Sequence, residues 1–327
     1  MKALMQENPG NELFLAEVPI PEPGPGEVLI KMHFSPVNPS DLSLLQGTYA
    51  ASPQYPVIPG IEGSGIVVQS GKGLIAALRK GKRVACTASE NKGGTWAEFM
   101  VTSANRTIPL NKKIDDEQGA MLLVNPLTAL SFIEIALKSK QPAIVNNAAA
   151  SSLGKMLIYL CNRYDITLLN IVTRESQRNT IKEHGAEYVL ISSSPDFEKE
   201  LSFWSEKLNA RLFFDAVGGE QTEIMLKTSP PGSTIVSYAK LSEQNASIDP
   251  RLLIQQNKKI LGLSLGNYVS EKTILQNLRS TGKVKKLLSD HIRINISARY
   301  SFNRINEALD YYRRNMSAGK VLLHPSI

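Results

Sequence analysis

Residues 143–172 read AIVNNAAASSLGKMLIYLCNRYDITLLNIV. The run at 143–147 is short, apolar and followed by small residues, the form of a buried strand. Behind it, Leu153, Met156, Leu157, Leu160, Cys161 and Tyr164 fall at i, i+3, i+4, i+7, i+8 and i+11. That spacing is one face of an α-helix. Residues 166–172 are nearly all apolar, as in a strand covered on both sides. Strand, helix and strand of these lengths form a βαβ unit with parallel strands.

Working toward the C-terminus, the alternation continues. Helices are expected at 175–184, 196–208 and 220–228, and strands at 188–191, 212–214 and 234–236, with an edge strand at 259–264. This predicts a doubly wound parallel sheet of the α/β class. Beyond it the pattern predicts helices at 271–280, 283–289 and 304–315 and a closing strand at 319–323. Working toward the N-terminus, the first 120 residues carry short apolar runs, as at 28–30 and 65–68. Pro/Gly turns at 21–26, 56–60 and 71–73 separate them, so this part is expected to be β-rich. The expected divisions are 1–120, 121–265 and 266–327.

With 327 residues, 42% hydrophobic and 20% charged, the chain has material for about two globular domains. Its two cysteines, Cys86 and Cys161, exclude a disulfide scaffold and a cysteine-rich zinc lobe. No apolar run approaches the roughly 20 residues that span a bilayer. The first residues have no signal-peptide character. We therefore expect a cytoplasmic protein with no membrane partner. The formal charge is +7, and residues 251–327 hold 14 Lys/Arg against 4 Asp/Glu. Such an excess reads as a solvated basic face, or as a dock for nucleic acid, an acidic carrier protein or a phosphorylated substrate.

The junction from Asn146 to Gly154 carries the first chemistry. A helix N-terminus behind small residues can take a pyrophosphate, because its N–H groups point outward. The G-x-G-x-x-G pattern maps to Ala149, Ser151 and Gly154, so only the last glycine is kept. Ser152 and Leu153 complete the candidate loop. An ordinary tight turn would read the same way. The second strand ends Ile171-Val172-Thr173-Arg174, with Arg178 one helical turn on. No carboxylate stands at the strand end to take a ribose hydroxyl. Two guanidiniums at i and i+4 match a 2′-phosphate instead, which predicts NADPH over NADH.

Several stretches together resemble one family. Val37-Asn38-Pro39-Ser40-Asp41, Gln46-Gly47-Thr48-Tyr49 and Pro59-Gly60-Ile61-Glu62-Gly63-Ser64-Gly65 are similar to the N-terminal domain of zinc-free medium-chain dehydrogenases/reductases. Gly93-Gly94-Thr95-Trp96-Ala97-Glu98, Asn125-Pro126-Leu127-Thr128-Ala129, His184-Gly185-Ala186-Glu187-Tyr188, Asp215-Ala216-Val217-Gly218-Gly219 and Gly319-Lys320-Val321 follow in order. The resemblance implies a GroES-like catalytic domain, a Rossmann NADP-binding domain and a C-terminal return to the first. Within the family the chain resembles the quinone oxidoreductase and 2-enoyl thioester reductase branch.

The resemblance also implies roles. Tyr49 is expected to act on a substrate carbonyl or as proton donor, with Asn38 beside it and Asp41 orienting them. Thr128 is expected on the nicotinamide side and Tyr238 near phosphate or ribose. A homodimer is implied through the edge strand near Leu261. Zinc-dependent relatives carry Cys near Asn38 and His-Glu where this chain has Ile61-Glu62, so no metal is expected. Without zinc, hydride addition to a quinone or to an activated C=C bond is the chemistry to expect. Two alternatives stay open. One is a 2-enoyl thioester reductase whose basic quarter meets a carrier or coenzyme A. The other is a non-catalytic member that binds a partner or RNA through the basic face.

Overall fold

The computed structural model describes residues 1–49, 54–89 and 92–325. The chain forms two compact units, one of Met1–Asn125 with Arg279–Ile327, the other of Pro126–Leu278.

The first unit begins with an antiparallel pair, β1 (Lys2–Met5) and β2 (Phe14–Glu17). Then come β3 (Glu27–Pro36), α1 (Pro39–Leu45), β4 (Glu62–Ser70), α2 (Leu74–Arg79) and β5 (Arg83–Thr87). β6 (Phe99–Ser103), β7 (Thr107–Pro109) and α3 (Asp116–Ala120) complete the N-terminal part. The long β3 pairs antiparallel with both β4 and β6. Alternate residues of β3, Val28, Ile30 and Met32, enter a core with Val67, Val84, Cys86 and Met100. Leu29 between them is buried too, so of residues 28–32 only Lys31 is exposed and this part of β3 is covered on both faces.

The second unit opens with α4 (Val124–Lys138), whose first two residues belong to the other unit. Its sheet strands are β8 (Ala143–Asn146), β9 (Thr167–Val172), β10 (Tyr188–Ile191), β11 (Leu212–Asp215), β12 (Thr234–Ser237) and β13 (Lys259–Gly262). Between them run α5 (Ser152–Arg163), α6 (Glu175–Glu183), α7 (Phe197–Lys207), α8 (Glu220–Thr228) and α9 (Pro250–Gln255). α10 (Leu265–Ser270) follows. All pairs are parallel, in the order β10-β9-β8-β11-β12-β13. Counted from its first strand this is 3-2-1-4-5-6, the Rossmann order. The order reverses between β8 and β11, so their C-terminal ends flank the switch point.

The chain then returns through α11 (Ile274–Asp290), β14 (Ile296–Ser301), α12 (Ile305–Arg314) and β15 (Lys320–His324). β15 adds to β3 and carries β14. Ile305, Ala308, Leu309 and Tyr312 of α12 pack with Leu4, Val37, Trp96 and Leu323. Where two helices were expected at 271–280 and 283–289, there is one. Gly282 lies inside it. A glycine there costs about 1 kcal/mol. The buried stripe of Ser280, Val284, Leu287 and Leu288 holds the turn together.

Candidate active site

In the first unit, the start of α1 and the first residues of β4 and β15 bring Asn38, Asp41, Glu62 and Lys320 together. Each is at most 3% exposed. Asn38 caps α1, and its N–H donates to Asp41 Oδ2 at 2.8 Å. Asp41 Oδ1 accepts from the Ile61 N–H at 3.0 Å. Asn38 Nδ2 donates to Glu62 Oε1 at 3.1 Å, and Lys320 Nζ donates to Asn38 Oδ1. Glu62 Oε2 accepts from the Leu123 and Val124 N–H groups at 3.2 and 2.9 Å. One ammonium thus faces two buried carboxylates. Burial, aided by the Glu62 charge, pushes Asp41 up to about 7. Burial also raises Glu62 and lowers Lys320, while the Lys320 and Glu62 charges oppose those shifts.

This differs from the substrate contact expected of Asn38, while Asp41, expected to orient its neighbours, holds the Asn38 N–H. Both ends of the Asn38 amide are engaged inside the protein, and Asp41 is fully buried. Neither presents an atom to a substrate. They form the floor beneath the loop that follows α1. Tyr49, on that loop, is 37% exposed. Its N–H donates to the Ser43 carbonyl at 3.2 Å, tying it to α1. Burial, and then the Asp41 charge, raises its phenol, so the hydroxyl keeps its proton at neutral pH. Sequence reasoning missed Glu62 and Lys320 as site members. The signal was a charged residue opening each of two strands whose centres are apolar, β4 and β15.

Among the described residues, no cluster of three or more His, Cys, Asp or Glu could hold a metal. Around Glu62 the donors are an amide and an ammonium, and its oxygens are already taken by N–H groups. That set does not fit zinc.

In the second unit, Asn146 ends β8 and Asn147 follows it, beside Asp215, which ends β11. Asn147 Nδ2 donates to Asp215 Oδ1 at 2.6 Å, and Asn147 Oδ1 accepts from the Ala216 N–H at 2.7 Å. Asp215 further accepts from the Val217 and Gly218 N–H groups and from the Thr222 hydroxyl. The switch point is thus cross-braced. Asn146 is fully buried; its Oδ1 accepts from the Tyr238 hydroxyl at 3.4 Å, while its Nδ2 has no hydrogen-bond partner among the described residues. Phe132 of α4 lies edge-on to Tyr238, and Thr128 is one turn earlier, 8% exposed. None of Asn146, Asn147 or Asp215 had been picked as a site residue; a polar residue closing an apolar strand was the signal.

The turn into α5 is tight. Ala148 takes a positive φ of 49°, and the Ala149 N–H donates to the Ile171 carbonyl. A Cβ on Gly154 would lie 2.2 Å from the Ala149 oxygen, so the helix reaches the turn only with glycine there. Ser151 caps α5, its hydroxyl accepting from the Gly154 N–H at 3.1 Å. Its side chain is therefore spent on the helix. The N–H groups of Ser152 and Leu153, in the first turn, have no carbonyl within the helix to bond. Arg174 caps α6 and is exposed. Arg178 differs from the expected clamp. Its guanidinium donates to Glu175 at 3.2 Å and to the Val189 carbonyl at 3.3 Å, which draws it along the sheet. The Thr173 N–H donates to Gln177 and its carbonyl accepts from Ser193.

A family model described as the alcohol dehydrogenase GroES-like domain matches residues 24–112, and one described as zinc-binding dehydrogenase matches 152–280. An enoyl-[acyl-carrier-protein] reductase, mitochondrial, of Xenopus tropicalis is 30% identical over 80% of this chain and 75% of its own length. The chain belongs to the medium-chain dehydrogenase/reductase family. Its likeness is to the quinone oxidoreductase and enoyl reductase branch, and it is an oxidoreductase of that type. The human synaptic vesicle membrane protein VAT-1 homolog is 26% identical over 93% of this chain and 80% of that protein. A solved structure of a proposed NADPH:quinone reductase from Mesorhizobium loti superposes with a TM-score of 0.89. It is 29% identical and covers 99% of this chain and 98% of the other. The two units are thus the GroES-like and Rossmann folds of a medium-chain reductase. The zinc-binding label of the second family model does not extend to the donor set around Glu62.

Proposed function

We propose that this chain reduces quinones or the activated C=C bonds of α,β-unsaturated carbonyls, with NADPH as reductant. The observation that carries the reading is Tyr49, a partly exposed phenol held protonated above a buried carboxylate. Bound NADPH supplies the hydride. When a hydride adds to a quinone, or to the β-carbon of an enone, negative charge collects on the substrate oxygen. The Tyr49 hydroxyl donates to that oxygen, and Asn38, Asp41, Glu62 and Lys320 keep the loop beneath it in place. The parallel sheet fits a dinucleotide by its strand order and by the close approach at Gly154. The N–H groups of Ser152 and Leu153 would take the pyrophosphate and exposed Arg174 the 2′-phosphate. The orphan Asn146 amide and Tyr238 would face the nicotinamide ribose side, near Thr128.

The identity to enoyl-[acyl-carrier-protein] reductases favours a thioester of the enoyl class as a second reading of the substrate. A carrier dock on the basic quarter has less support. Lys258 and Lys320 are buried, and Arg293 and Arg299 pair with Asp115 and Glu117. Tyr49→Phe tests the reading. It should lower kcat about a hundredfold with KM nearly unchanged, the size expected for one oxyanion donor. Activity equal to wild type on both a benzoquinone and a crotonyl thioester would remove Tyr49 from the mechanism. The relative rates on those two acceptors decide between the substrates.

A further inference from the structure

Helix α2 sits on the first unit with its apolar side turned to solvent. Ala76, 1% exposed, is its contact with the core of Val28, Val67 and Val84. Arg79 anchors the same side, donating to Thr107 Oγ1 at 3.0 Å. At about 100° per residue, Leu74 and Leu78 stand opposite Ala76. They are 77% and 61% exposed, with Ile75 at 45% and Val68 of β4 at 40% beside them. A surface helix in water carries polar residues there. Here the polar residues stand at the two ends instead, with Lys72 before the helix and Lys80 and Lys82 after it, all exposed. From Gln69 to Arg83 there are five cations and no Asp or Glu. Arg83 is taken by Asp116, and Glu27 of β3 is taken by Lys92.

We propose that α2 seats this protein on an anionic phospholipid surface. Leu74, Ile75 and Leu78 enter the boundary between head groups and acyl chains. Lys72, Lys80 and Lys82 meet the lipid phosphates and carboxylates. Protein interfaces are depleted in lysine and enriched in aromatics and arginine. This patch has aliphatic tips and lysines, whose stems lie along apolar surface while the ammonium stays in water. The contact needs no spanning helix, and no described helix is long and apolar enough to cross a membrane. It departs from the expectation of no membrane partner, which rested on the shortness of the apolar runs.

The test is co-sedimentation of the full chain with vesicles of phosphatidylcholine alone and of phosphatidylcholine mixed with phosphatidylserine. Binding is expected to the mixed vesicles and to fall with added salt. Lys72→Gln/Lys80→Gln/Lys82→Gln should weaken it about a hundredfold, roughly fivefold per charge. Leu74→Glu/Leu78→Glu should abolish it. Both variants leave Ala76 and Arg79 seated, and unchanged thermal melting shows that the fold is kept. No sedimentation with either vesicle overturns the proposal, as does binding that both variants leave intact. A fall in solution mass on Leu74→Glu/Leu78→Glu, with vesicle binding kept, overturns it in favour of a second copy on this patch.

Discussion

Asp41 is buried together with Glu62 and Lys320, so one of the two carboxylates is left without a counter-charge. Below about pH 4 Asp41 is protonated whether the chain is folded or not. Between its ordinary 3.8 and its folded value of about 7, the native state holds a proton that the unfolded chain has released. Stability therefore falls as pH rises through that window and levels above it, by up to about 4 kcal/mol. Asp41→Asn should be destabilised at low pH, where it loses an acceptor, and should lack this slope. Denaturant unfolding from acid to neutral pH measures both. Parallel curves for the two proteins would show that Asp41 does not hold the proton. At this scale the sequence was legible in part. Tyr49 could be chosen from its motif. The burial of Asn38 could not, because its two partners lie 24 and 282 residues away. Arg178 was likewise read as free because Val189 is a backbone carbonyl that no residue pattern marks.

Elements were more legible than residues, since periodicity acts within one element. The strand, turn and helix at 143–163 lie where the apolar spacing puts them. The kept glycine of that turn has a physical reason: helix and turn touch at Gly154. Gly154→Ala should cost roughly 1–3 kcal/mol in unfolding free energy, because only backbone stands in the way of the new methyl. A cost near zero would mean the turn relaxes freely. Polar or half-buried elements were missed. β14 alternates Ile296, Ala298 and Tyr300 with polar residues over only six positions, and α2 turns its leucines outward. β13 was expected at an edge and is there, with Leu261 52% exposed. An open edge invites pairing. We expect a homodimer through β13, of twice the chain mass by light scattering. Leu261→Arg, which sets like charges across a two-fold axis, should shift it toward monomer. A wild-type monomer at micromolar concentration would end that reading.

For the whole molecule, motifs that are weak singly gained force from their order. Asn38 to Tyr49, Pro59 to Gly65 and Gly319 to Val321 lie far apart in sequence, yet residues from all three meet at one floor. A sequence reading sees their order but not that meeting, which depends on β15 returning to β3. The basic last quarter shows the reverse: a strong composition signal that the fold takes in part into buried lysines and ion pairs, while Arg279, Lys283 and Lys286 stay exposed on α11. The central claim is that the Rossmann unit works with NADPH. Its most direct test is a fluorescence titration of the wild type and Arg174→Ala with NADPH and NADH. Wild type should bind NADPH at least tenfold more tightly than NADH, as one charge-assisted phosphate contact provides, and Arg174→Ala should erase most of that preference. Equal affinities for the two cofactors in wild type, or no binding of NADPH at millimolar concentration, would contradict it.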